Sequence, residues 1–191
     1  GPGSGPDGMN LGSGDAGLQN YFLTIKQLTS GFYEQLVSSS SFASLFSADE
    51  QSILTDIRNH EVVHREYLRA ALGSRAIPNV ELNLAAIDFN NKDQVLETAE
   101  DFENLCVAAY NDALQLINDT NLALVMMKMA SVEGRHAAVI STIIAPRTSS
   151  FAADAVVNSQ GLGETKPPAT VITEIQPYIT DEIIATGLPT S

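Results

Sequence analysis

Apolar residues recur every three or four positions along four long segments of the chain, which is the spacing of amphipathic helices. These segments cover residues 15–38, 47–72, 93–117 and 122–144. Polar residues occupy most of the positions between the apolar ones, so each segment has one face suited to a core. The pattern therefore predicts an all-α protein built on four long helices.

Residues that favour helix ends stand at the expected boundaries. Ser47, with Glu50 three residues later, forms a capping box at the start of the second segment. Gly73 follows the last apolar position of that segment and is placed to end the helix. Asp15 can cap the first helix, and Pro146 stops the fourth.

The lengths of the connections indicate how the helices are arranged. Short links join the first helix to the second and the third to the fourth, so each pair is expected to be antiparallel. Roughly 20 residues separate the second helix from the third, and extended chain at about 3.3 Å per residue reaches the full length of a long helix. One long crossover predicts a ferritin-like four-helix bundle, whereas a cytokine-type bundle needs two.

The bundle is predicted over residues 15–146, and the flanking segments differ from it in composition. Residues 1–14 are rich in glycine and are typical of a tag or flexible leader. Residues 147–191 are rich in Ser, Thr, Ala and Pro, with short helices predicted near 154–157 and 171–175. The isoleucines of this segment predict an irregular C-terminal extension packed on the bundle rather than a separate domain.

Charged and imidazole side chains interrupt the apolar stripes at one level of the predicted bundle. The second helix carries Glu61 and His64, and the fourth carries Glu133 and His136. Each pair has the form Glu-x-x-His, whose spacing puts both side chains on one helical face. Glu103 adds a carboxylate from the third helix. Buried carboxylates need compensation, and two Glu-x-x-His pairs in a bundle are the ligand pattern of a di-iron or di-manganese site.

Several segments also resemble a known family. Residues 130–138 resemble the fourth-helix signature of ferritin-like proteins that include desiccation-related and stress-response members, and residues 59–64 and 101–110 are similar to the family's second and third helices. Residues 175–179 are similar to its C-terminal end. The resemblance covers about residues 16–184. It implies one metal position served by a first-helix Glu, Glu61 and His64, and another served by Glu103, Glu133 and His136.

The first helix departs from this family pattern, because Lys26 stands where the family carries Glu. An ammonium group cannot bind a metal while it is protonated, and it repels a nearby cation. The only carboxylate later on this helix, Glu34, lies about 12 Å further along the axis and cannot substitute. Lys26 is expected to pair with Glu61 and Glu133; the alternative is a lysine that reaches solvent from the edge of the bundle.

The sequence therefore predicts a ferritin-like protein with a modified carboxylate/histidine site that holds at most one iron, manganese or zinc ion, with a role in metal-centred redox chemistry. The alternative is a non-catalytic stress-protective or structural protein whose site is metal-free and neutralised by Lys26. A weaker alternative makes Lys26 a catalytic amine. No catalytic residue can be assigned from the sequence, and whether the protein is an enzyme stays open.

The composition of the chain limits which kinds of partner it is expected to bind. The chain has 23 acidic and 10 basic residues and a formal net charge of −13, which disfavours nucleic acid and anionic membranes. No apolar run approaches the roughly 20 residues of a membrane span. Cys106 is the only cysteine and is expected to be a small buried residue. A monomer or homodimer is expected rather than a 24-subunit shell. Because members of the family that the sequence resembles are often exported, a secreted or periplasmic protein is weakly favoured.

Overall fold

The computed structural model describes residues 3–5, 8–145 and 163–190. Four long helices form a bundle, and the predicted all-α fold with one long crossover is confirmed. Helix α1 (Gly14–Ser38) packs along α3 (Ala48–Leu72), and α4 (Lys92–Ala113) packs along α5 (Thr120–Ile144). Contact between α3 and α5 is much sparser than contact within either pair.

The helix boundaries follow from local capping. Ser47 and Glu50 form the predicted capping box, with the Ser47 hydroxyl accepting from the Glu50 backbone N–H and the Glu50 carboxylate accepting from that of Ser47. Gly73, at φ 56°, ends α3 in the left-handed region that favours glycine. Asp119 caps α5 through two backbone N–H groups.

Two local features differ from the sequence expectations. Asp15 lies inside α1 and instead accepts from the backbone N–H groups of Asn118 and Asp119, which ties the start of α1 to the start of α5. A one-turn helix, α2 (Phe42–Leu45), fills the link between α1 and α3 and buries Phe42. Long-range contacts decide both features, so the local pattern did not contain them.

The crossover and the chain ends meet at one side of the bundle. Helix α6 (Pro168–Ile175) packs on α1 and α4, and strand β3 (Ile183–Ile184) follows it. Strand β3 pairs in parallel with β2 (Gly8–Asn10), which is antiparallel to β1 (Gly3–Gly5). The crossover joins this region through a bridge between Leu82 and Ile179.

Residues of both flanking segments pack on the bundle. Met9 and Leu11, in the segment assigned to a leader, are buried in the core, because β2 is held by hydrogen bonds to residues 182 and 184. The helix predicted near 171–175 is part of α6, whereas the one predicted near 154–157 lies outside the described residues. Over the described part of the chain, no helix combines the length and apolarity that crossing a bilayer requires.

Candidate metal centre

Six charged or imidazole side chains from all four bundle helices meet at mid-bundle. Lys26 comes from α1, Glu61 and His64 from α3, Glu103 from α4, and Glu133 and His136 from α5. The i,i+3 spacing places both members of each Glu-x-x-His pair on the inner face of its helix. Lys26 and the three carboxylates are completely buried, His136 is nearly so, and His64 keeps 14% of its side chain exposed.

One half of this cluster, called the open half below, presents ligand atoms that make no hydrogen bond. Glu61 Oε1, Glu103 Oε2, Glu133 Oε2 and His136 Nδ1 are all buried without a hydrogen-bond partner. His136 Nδ1 lies 3.4 Å from Glu61 Oε1 and 3.6 Å from each of the other two oxygens. One ligand atom from each of the four residues lies within 4.8 Å of the others. Four buried ligand atoms without hydrogen-bond partners, this close to one another, could hold a single metal ion.

The other half is filled by Lys26. Its Nζ donates to Glu61 Oε2 at 2.7 Å and to Glu133 Oε1 in a short contact. His64 Nδ1 lies 3.5 Å from the same oxygen of Glu133 and has no hydrogen-bond partner. His64 is therefore the one predicted ligand that stands apart from the four-atom set, beside the ammonium group of Lys26.

Burial and charge together set the ionisation of the cluster. Burial alone lowers the pKa of Lys26, but Cys106, Glu133 and Glu61 outweigh it and hold that pKa well above its usual value. Burial also raises the pKa of the Cys106 thiol, which favours its neutral form beside Lys26. Glu133 in turn has its pKa held well below the usual range by Lys26, against the opposing effect of burial.

The open half behaves differently. Burial and the neighbouring charges of Glu133 and Glu61 raise the pKa of Glu103 well above its usual value. Burial lowers the pKa of His136, but the surrounding carboxylates outweigh it and raise that pKa to about 11. Without a cation in the open half, His136 therefore keeps its proton at neutral pH, and the raised pKa of Glu103 favours its protonated form.

Three side chains that sequence reasoning did not assign to the site hold it in place. The Thr29 hydroxyl donates to Glu61 Oε2 at 2.8 Å, and the Tyr33 hydroxyl donates to Glu103 Oε1 at 2.8 Å. Both follow Lys26 on α1 at positions three and seven residues later, so helical spacing could have found them. His60 Nδ1 lies 2.8 Å from His136 Nε2, with the two rings stacked. His60 shares a face with His64, four residues later.

The wall behind Lys26 is made by α4. Cys106 Sγ lies 3.9 Å from Lys26 Nζ, and the Tyr110 ring lies 5.4 Å from it, in range for a cation–π contact. Tyr110 also stacks on Phe22 and is completely buried. These contacts enclose the ammonium group and make Lys26 a core residue rather than one that reaches solvent from the bundle edge.

The donor set fits a divalent metal on chemical grounds. Carboxylate oxygens and one imidazole nitrogen suit iron, manganese and zinc. His136 bonds His60 through Nε2, which leaves Nδ1 free to face the carboxylates, as expected for a metal-binding histidine supported by a second group. The charges balance as well, since one divalent ion and the Lys26 ammonium offset three carboxylates.

Comparison with known proteins agrees with this architecture. The sequence matches the family model described as "Ferritin-like domain" over residues 14–146, the part of the chain that holds all four bundle helices and all six cluster residues. No significant match to a curated protein is found. Because the family model covers well over half of the chain, the protein belongs to the ferritin-like domain family.

Proposed function

We propose that the protein binds one divalent transition-metal ion per chain, through Glu61, Glu103, Glu133 and His136. The observation that carries this proposal is the set of four buried, unpaired ligand atoms around one point. Leaving such groups without a partner costs free energy, and a cation supplies a partner for all of them. Lys26 occupies the neighbouring half of the cluster and limits the number of ions to one.

The protein side chains divide the work of the site. Glu103 and His136 would hold the ion without contacting Lys26, whereas Glu61 and Glu133 would each offer one oxygen to the ion and bond Lys26 through the other. Thr29 and Tyr33 hold the carboxylates in orientation. Iron or manganese, when bound, supplies one-electron redox chemistry. Because Lys26 excludes a second ion, the two-electron chemistry of a paired centre is not expected.

The experiment that tests this proposal compares two substitutions in the cluster. Glu103→Gln removes a ligand from the open half, and His64→Gln changes a residue beside Lys26. Metal content is measured by mass spectrometry after loading with Mn²⁺, Fe²⁺ or Zn²⁺ and removal of free ion. We expect about one ion per chain in the parent and in His64→Gln, and almost none in Glu103→Gln. Equal loading of Glu103→Gln and the parent would contradict the assigned ligands.

A second candidate function is a metal-free, stress-protective or structural protein. It is favoured by the cations that the cluster itself contains, since Lys26 and a protonated His136 lie among the carboxylates and the raised pKa of Glu103 favours its protonated form. The resemblance to stress-response ferritin-like proteins is in keeping with this role. Such a protein should carry no metal after purification without chelator, and its unfolding midpoint should not change with added chelator or metal.

A further inference from the structure

In the described part of the chain, solvent reaches the buried cluster from its α3 and α5 side. The side chains facing α1 and α4, namely Lys26, Glu103 and Tyr110, are completely buried. Within the cluster, the side chains with some exposure are His64 on α3 and His136 on α5. The exposed parts of the cluster therefore lie on α3 and α5, the neighbouring helices with the sparsest contact.

A groove of 290 Å³ opens between these two helices and ends at His136. Its walls include Val132 and Val139 of α5, and its α3 side carries Asp56 and His60. The His60 ring stacks on the His136 ring, with ring centroids 5.1 Å apart and an interplanar angle of 7°. The stacked rings of His60 and His136, called the floor of the groove below, both line it, and Nδ1 of His136 is also one of the four ligand atoms.

We propose that this groove is the entry route for the metal ion, with Asp56 and His60 as successive ligands on the way to His136. This inference rests on the proposed metal-binding function. Asp56, His60 and His64 follow one another at intervals of four residues, so metal-binding groups recur once per turn along one face of α3. Their exposure falls from Asp56 and His60, which are exposed, to His64, which is only partly so.

Passage requires the two imidazole rings to part. Rotamer changes of exposed side chains are fast, and His60 is exposed, so a ring rotation can open the floor of the groove without unfolding a helix. During such a rotation His60 can carry the ion on one ring nitrogen and pass it to His136 Nδ1 and the carboxylates. The ion then never has to shed all its ligands in an apolar environment, where that loss is costly.

The experiment measures loading and release separately. Co²⁺ is mixed with metal-free protein and its visible absorption followed by stopped flow, and release is followed after adding excess chelator. Val139→Phe narrows the groove, and His60→Leu removes the ligand at its floor. Val63→Phe makes the same change as the first variant on an exposed face of α3 outside the groove, and serves as the matched control.

For a route, we expect Val139→Phe to slow loading at least tenfold and release by a similar factor, with one ion still bound at equilibrium. We expect His60→Leu to slow loading at least tenfold. Val63→Phe should match the parent. If His60 only supports His136, His60→Leu will release the ion faster and load it at the parent rate, which would overturn its place on the route. Loading of Val139→Phe at the parent rate would overturn the groove as entrance.

Two substitutions that each remove a charge from the lining of the groove test the same route. Asp56 attracts a cation at the groove and Arg135, which also lines it, repels one. Asp56→Asn should slow loading several-fold and Arg135→Gln should speed it, and both differences should shrink with added salt. Equal rates for both variants and the parent at low salt would count against entry here. If the parent binds no Co²⁺ at all, the proposed function fails and the route fails with it.

Discussion

Replacing Lys26 by glutamate should convert the proposed one-ion site into a two-ion site. The substitution removes the ammonium group that fills half of the cluster and puts a carboxylate on α1, beside Glu61, Glu133 and His64. Two divalent ions then balance four carboxylates, as one ion and Lys26 balance three in the parent. His64 Nδ1, which has no hydrogen-bond partner, gains a role as ligand to the added ion.

The size of the effect follows from the burial of Lys26, which has no solvent exposure and bonds two buried carboxylates. Removing one partner of a buried ion pair typically costs about 3–5 kcal/mol. Metal-free Lys26→Glu should lose at least that much, a large part of a typical stability of about 5–15 kcal/mol. Each bound ion returns about 2.7 kcal/mol when its concentration is about 100 times its dissociation constant.

The assay combines metal stoichiometry with denaturant unfolding, in the presence of Mn²⁺ or of chelator. We expect the parent to hold one ion and Lys26→Glu to hold two, with a larger difference in unfolding free energy between metal and chelator. Lys26→Met, of similar length and neutral, is the matched control: it should be destabilised without gaining a second ion. If Lys26→Glu binds no more metal than Lys26→Met, Lys26 does not occupy a ligand position.

Metal loading should also depend on pH. The pKa of His136 is raised to about 11 in the metal-free cluster, so protonation of His136 stabilises the metal-free folded protein. This stabilisation is lost as the pH rises through about 11. Since the ion must displace protons from His136 and Glu103, loading at fixed Mn²⁺ should increase from acid to alkaline pH, and a flat profile in a pH titration would contradict the ligand set. Two glycines give a stability test independent of metal. A Cβ at Gly17 would lie 2.9 Å from the backbone of Gly12, so Gly17→Ala should lower the unfolding free energy by about 1–3 kcal/mol. A Cβ at Gly134, in the middle of α5, would meet open space, so Gly134→Ala should raise the unfolding free energy by about 0.5–1 kcal/mol. Equal shifts in urea denaturation would refute that reading. Cys106 should resist alkylation in the folded protein and react only on unfolding, because it is completely buried and burial raises the pKa of its thiol.

The sequence by itself determined the helices and their order, because the apolar period and the caps are local properties. The capping box at Ser47 and the glycine at 73 are set by their neighbours in the chain. The Glu-x-x-His pairs were equally visible, since three residues along a helix return to the same face. The short links then sufficed to predict which helices pair, and the long crossover indicated the ferritin-like arrangement.

Only the tertiary structure decided how the cluster is divided. The sequence placed Lys26 near Glu61, but which oxygens Lys26 takes and which stay unpaired depends on how four helices from distant parts of the chain are packed. The same holds for His60, whose neighbour His136 lies 76 residues away. The burial of Met9 against the C-terminal strand has no local signal either, because parallel strand pairing joins segments that share no pattern. The hydrophobic period shows which face of a helix or strand is buried, whereas only the packed structure shows which residues that face contacts.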